Sequence, residues 1–217
     1  MTDGRATKVS IRFAKRLVFV AAMGPLCILT WGALTGGLGA NPIDVITRDT
    51  GTWTLRFLVL TLAVTPVRRV TGWNGVIGFR RMLGLFAFSY GTLHLFTYLW
   101  LDQFFDLAGI LKDIVKRPFI TAGTTAFVLM VPLALTSTAR MIRRLGGRRW
   151  QRLHRLAYVS AIAGVVHYWW LVKADVRRPM AYAAVVIVLL VLRLFRTRGG
   201  QARRDVAKPT RSRPLVS

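Results

Sequence analysis

The chain alternates between long apolar runs and short, arginine-rich polar segments. Six runs approach or exceed the ~18–20 residues that an α-helix needs to cross about 30 Å of hydrocarbon. They fall at roughly 17–35, 53–70, 81–101, 119–138, 152–173 and 179–196. The second is short and carries Pro66 near its end, which softens that boundary. The pattern predicts an all-α fold: a polytopic membrane helix bundle with six transmembrane helices. The first run follows Arg12, Lys15 and Arg16, as a signal peptide would. Its apolar stretch is longer than an h-region, and cleavage after Ala40 would put bulky Leu38 where a small residue is wanted, so an anchor is expected.

Charge then orients the bundle. One set of polar segments holds Arg5 to Arg16, Arg68, Arg69, Arg80, Arg81, the run from Arg140 to Arg152, and everything from Arg196 onward. The alternate loops carry Asp44 and Asp49, then Asp102, Asp106 and Asp113, then Asp175. The positive-inside rule puts both termini in the cytoplasm, with the bundle expected in an inner membrane. Trp100, Trp169 and Trp170 fall at the opposite, periplasmic boundary, as an aromatic belt does. The expected organisation is a basic cytoplasmic N-terminus over 1–16, one six-helix domain over 17–196, and a basic, disordered tail over 197–217 that lies near anionic lipid. No internal repeat or second folded domain is evident.

Composition agrees and excludes other classes. The 217 residues are 53% hydrophobic and 18% charged, and the mean hydropathy is +0.44, which together point away from a soluble domain. A net charge of +24 invites a nucleic-acid reading. The cations, however, sit in clusters between apolar runs rather than on one soluble face, so no nucleic-acid partner is expected. Every acidic residue is Asp, which gives a paired-carboxylate enzyme little to work with. Cys27 is the sole cysteine, so there is no thiolate cluster for zinc or iron–sulfur and no C-x-x-C-H for covalent haem.

The remaining candidate chemistry is histidine. His94, His154 and His167 all lie in or at the edge of expected spans, where ionisable residues are rare and imidazole is a common iron ligand. His94 lies 13 residues beyond Arg81 and His167 lies 15 beyond Arg152, or about 20 Å and about 22 Å along two helices running the same way. Two imidazoles at matched depth can face each other across one porphyrin. Gly91 and Gly164 each stand three residues before a histidine, where side chains lean, and would leave room for a flat macrocycle or simply allow close helix packing. On one continuous helix His154 and His167 would lie about 20 Å and ~140° apart, so they do not line one face. His154 could hold a second haem with a weaker partner, contact a flavin or quinone, or hydrogen-bond at the interface.

Several motifs carry a resemblance. Arg80-Arg81-Met82-Leu83-Gly84-Leu85 opens the third span and Leu93-His94-Leu95 lies within it. Arg117-Pro118-Phe119-Ile120-Thr121 and Leu135-Thr136-Ser137-Thr138 follow. The longest motif runs from Leu145 through Arg148-Arg149-Trp150-Gln151-Arg152-Leu153-His154-Arg155, and His167-Tyr168-Trp169-Trp170 closes the set. Over most of the chain from the second span to the sixth, the sequence resembles the MsrQ (YedZ) family within the ferric-reductase-like transmembrane superfamily. These are haem-binding membrane subunits of bacterial periplasmic methionine sulfoxide reductase systems. The resemblance implies b-type haem, FMN, and the three histidines His94, His154 and His167. It also implies electrons passed from a cytoplasmic flavin reductase or quinol to a periplasmic molybdopterin-containing subunit that reduces methionine sulfoxide in proteins.

The resulting expectation is a haem-b electron carrier, with His94 and His167 as axial ligands nearer the periplasm. Arg80, Arg81, Arg149, Arg152 and Arg155 could pair with flavin phosphate or haem propionates on the cytoplasmic side, or serve topology alone. No G-x-G-x-x-G motif is present to bind a nucleotide donor. The alternatives are a self-contained ferric or cupric reductase of the same superfamily and a small-solute transporter. Against the transporter, the spans lack buried carboxylates and a repeated broken-helix pattern.

Overall fold

The computed structural model describes residues 3–172 and 174–206. Among the described residues the chain is helical, without strands. The helices are α1 (Asp3–Thr35), α2 (Pro42–Thr71), α3 (Arg80–Thr97), α4 (Leu107–Lys116), α5 (Pro118–Leu135), α6 (Ala139–Leu145), α7 (Gly147–Leu153), α8 (Leu156–Leu171) and α9 (Arg177–Val206). A 3₁₀ stretch, Asn74–Phe79, leads into α3, and a π-helical turn, Tyr98–Asp102, ends it. Among the described residues three stretches are long and apolar enough to cross a membrane: Ile11–Thr35, Asn74–Asp102 and Pro118–Leu135. The other three expected spans are helical as well, α8 with 16 residues. Large apolar side chains such as Phe13, Val20, Ile28, Trp31 and Leu34 on α1 face outward, which in water would be a liability and in lipid is the rule.

Local signals set the boundaries. α2 starts well before residue 53, because Asn41 caps it by accepting from the Asp44 N–H at 3.2 Å and Pro42 opens its first turn. Hydropathy alone hides this start. Arg68 and Arg69 in the last turn and left-handed Gly72 (φ 69°) close it. α4 was not foreseen: Asp106 caps it from the Ala108 N–H at 3.1 Å, and Leu107, Leu111 and Val115 remain exposed along it. Of the tail expected at 197–217, residues 197–206 continue α9 and 207–217 lie outside the described residues.

The most extensive packing joins α2 to α3 and α5 to α8. Leu55, Phe57, Leu58 and Leu62 on α2 are buried, as are Leu83, Phe86, Ala87 and Tyr90 on α3. α8 turns small residues (Ala157, Ser160 and Ala161) inward, and the Ser160 hydroxyl donates to the Ala126 carbonyl of α5 at 2.8 Å. α1 joins through Ala22 in the core and through two hydrogen bonds to the Tyr90 hydroxyl. The Tyr90 hydroxyl donates to the Ala22 carbonyl at 2.8 Å and accepts from the Leu26 N–H at 3.1 Å. An uninterrupted helix would join those two groups to each other. Pro25 stands between them, so the hydroxyl sits where a proline disturbs the ladder.

Candidate metal centre

His94 projects from α3 and His167 from α8, and their ring centroids lie 6.0 Å apart at an interplanar angle of 73°. Nδ1 of His94 donates to the Thr47 carbonyl of α2 at 2.9 Å. Nδ1 of His167 donates to the Phe119 carbonyl of α5 at 2.6 Å. A carbonyl can only accept, so each Nδ1 carries the proton and each Nε2 keeps its lone pair. Neither Nε2 has a hydrogen-bond partner among the described residues. This is how a metal-binding histidine is oriented by its surroundings.

Each ring also rests on a glycine. A Cβ on Gly51 would stand 3.0 Å from Cε1 of His94, and one on Gly123 would stand 2.7 Å from Nδ1 of His167. Gly51 lies four residues after Thr47, and Gly123 four after Phe119. One device is therefore built twice: an imidazole lies in a helix groove, bonds one carbonyl, and passes the following turn where a side chain is absent. Gly91 and Gly164, singled out by their spacing from the histidines, face elsewhere. A Cβ on Gly91 would meet Met130 Cε at 3.1 Å and Thr54 Cγ2 at 3.4 Å, and one on Gly164 would meet only Leu55 Cδ1 at 3.6 Å. Both lie where helices pack closely.

The donor set can be tested against a haem. Two imidazole nitrogens, each about 2 Å from one metal, put the ring centres roughly 6 Å apart, as they are here. No group of three or more His, Cys, Asp or Glu residues is placed to hold a metal among the described residues. A bare ion would therefore lack protein ligands at this pair, whereas a porphyrin brings four nitrogens of its own. The residues fit haem.

His154 sits apart, in the turn between α7 and α8. The expected single helix over 152–173 is broken there: the Arg155 N–H reaches back three residues to the Arg152 carbonyl at 3.1 Å. The angle between His154 and His167 on a continuous helix therefore has no meaning in this fold. The His154 ring stacks on Trp150, with centroids 3.9 Å apart, and its Nε2 lies 3.1 Å from Thr136 Oγ1. That hydroxyl donates to the Pro132 carbonyl at 2.6 Å. With its only hydrogen committed, it accepts from Nε2–H.

Of the five candidate arginines, Arg80 is partly buried at the start of α3, and its charge reaches His154. Arg81, Arg149, Arg152 and Arg155 are exposed. None is ion-paired among the described residues, where the two salt bridges are Asp44–Arg48 and Asp113–Arg117. Arg193 of α9 was not anticipated: its guanidinium lies over the Tyr158 ring at 4.7 Å and within 3.5 Å of Thr65 Oγ1. A polar residue inside an apolar run was its only sequence signal.

The family described as "Ferric reductase like transmembrane component" matches residues 50–165. Among curated relatives, a protein from Herminiimonas arsenicoxydans is 56% identical over 183 residues, covering 83% of this chain and 84% of its own. One from Azospira oryzae is 52% identical, covering 92% and 84%. One from Rhodospirillum rubrum is 49% identical, covering 93% and 99%. Each bears the name "Protein-methionine-sulfoxide reductase heme-binding subunit MsrQ".

Proposed function

The chain belongs to the MsrQ family of the ferric-reductase-like transmembrane superfamily, and from that premise we propose that it is a haem-b electron-transfer subunit of a methionine sulfoxide reductase system. It passes electrons from a cytoplasmic flavin reductase or quinol across the inner membrane. The acceptor is a periplasmic molybdopterin-containing subunit that reduces methionine sulfoxide in proteins. All six expected spans cross the membrane and both termini lie in the cytoplasm. The observation that carries this reading is the His94–His167 pair, two imidazoles with ring centres 6.0 Å apart and both Nε2 lone pairs uncommitted.

Haem supplies a one-electron ferric/ferrous couple when bound. His94 and His167 would hold it, each through the Nε2 left uncommitted by its Nδ1 hydrogen bond. Their Nδ1–H groups, bonded to the Thr47 and Phe119 carbonyls, make the imidazoles more electron-rich and fix their orientation. Gly51 and Gly123 admit the rings to those carbonyls. His154, partly buried Arg80 and the exposed Arg81, Arg149, Arg152 and Arg155 belong to the electron-donor side, where FMN or a quinol is received.

The absorption spectrum of the purified protein tests this directly. A reducible b-type spectrum is expected, together with electron delivery to a co-purified periplasmic molybdoenzyme. A self-contained ferric or cupric reductase would show the spectrum and reduce metal chelates without that partner. A transporter would show no haem bands.

A further inference from the structure

A polar cleft lies between α2, α8 and α9, with a volume of about 380 Å³, lined by Thr52, Arg56, Tyr168, Arg178, Ala181 and Tyr182. It holds two arginines and no carboxylate. Among the described residues neither arginine has an ion-pair partner, and Asp175, three residues before Arg178, turns one carboxylate oxygen to the Arg177 N–H at 3.1 Å. The Arg56 guanidinium lies over Trp53 at 4.5 Å from the ring centre, so it leans toward the N-terminal end of α2. Its Nε donates to the Tyr182 hydroxyl at 3.3 Å. That leaves the terminal N–H groups of Arg56 and the O–H hydrogen of Tyr182 uncommitted. Arg178 stands in the first turn of α9.

Depth identifies the anion. The cleft opens where α9 begins, and exposed Trp169 and Trp170 at the end of α8 mark the same level, as interfacial tryptophans do. Headgroup phosphates lie at that level, and a phosphodiester oxygen accepts from both guanidinium and phenol. We propose that this cleft binds the phosphate of a phospholipid headgroup from the leaflet facing the periplasm, tying α9 to α2 beside the histidine pair. The proposal rests on the six-span arrangement given above.

Protein purified in mild detergent is titrated with phosphatidylglycerol, and retained lipid is read by native mass spectrometry. The double variant Arg56→Gln/Arg178→Gln is expected to lower retention by roughly tenfold. Tyr182→Phe lowers it less, and Arg177→Gln, which removes a neighbouring charge, leaves it unchanged. Should the double variant fail to fold, Tyr182→Phe decides. Undiminished retention in the cleft variants overturns the proposal, as does an equal loss in Arg177→Gln. A loss of haem absorbance with lipid retention intact also overturns it, and would assign the cleft to a haem propionate. The span arrangement is checked apart, by labelling Asp175→Cys in a Cys27→Ser background with an impermeant maleimide from the periplasmic side. Absence of labelling there would refute the topology whatever the lipid titration showed.

Discussion

The three histidines are divided between two sites that use the same ring in opposite ways. At the His94–His167 pair, Nδ1 carries the proton and backbone carbonyls hold it, so the outer nitrogen of each ring is available. At His154, Nε2 carries the proton and Thr136 holds it, while Trp150 covers one face. Its remaining lone pair is on Nδ1. Residue type marks both places; the hydrogen bond made by the other nitrogen tells them apart.

The sharpest way to break this contrast is to remove the rings. His94→Ala or His167→Ala is expected to abolish most of the haem absorbance per mole of protein, whereas His154→Ala keeps the absorbance of the pair. Full haem retention in either of the first two would refute the axial assignment. A finer probe leaves the rings and fills the grooves beneath them. Gly123→Ala brings a methyl to 2.7 Å of Nδ1 of His167. It is expected to cost about 1–3 kcal/mol of site integrity, read as lower haem occupancy and a shifted midpoint potential. Gly51→Ala, at 3.0 Å, acts in the same direction but less.

On the other side of the comparison, Thr136→Val removes the acceptor for His154. It is expected to lower thermal stability by about 1 kcal/mol and leave the spectrum of the pair unaltered. A spectral change there would mean that the two sites are coupled. The smallest effect is expected at Gly164→Ala, whose methyl meets one leucine at ordinary contact distance. A large haem loss in that variant would restore Gly164 as clearance for the macrocycle.

Hydropathy showed where most of the long helices lie, though not α4, and counting residues from the flanking arginines was enough to pair His94 with His167. That worked because α3 and α8 each carry their histidine at a similar distance from a polar boundary. The bracing glycines were not legible, since Gly51 and Gly123 matter only through rings that arrive from other helices. Spacing along the same helix pointed instead to Gly91 and Gly164. The break at His154 escaped notice as well, because Arg152-Leu153-His154-Arg155 contains neither Gly nor Pro. The start of α2 could have been read from Asn41-Pro42, a cap followed by a first-turn proline.

Each histidine is braced within its own helix pair, His94 by α2 against α3 and His167 by α5 against α8. A metal held by both rings would therefore lie between two helix pairs that each brace one ligand and share a common core. A slide of one pair past the other would leave both braces intact and change the distance between the two imidazoles. Ligand-field strength would then report on how the pairs meet, and a partner docking across both could retune the redox centre without touching it.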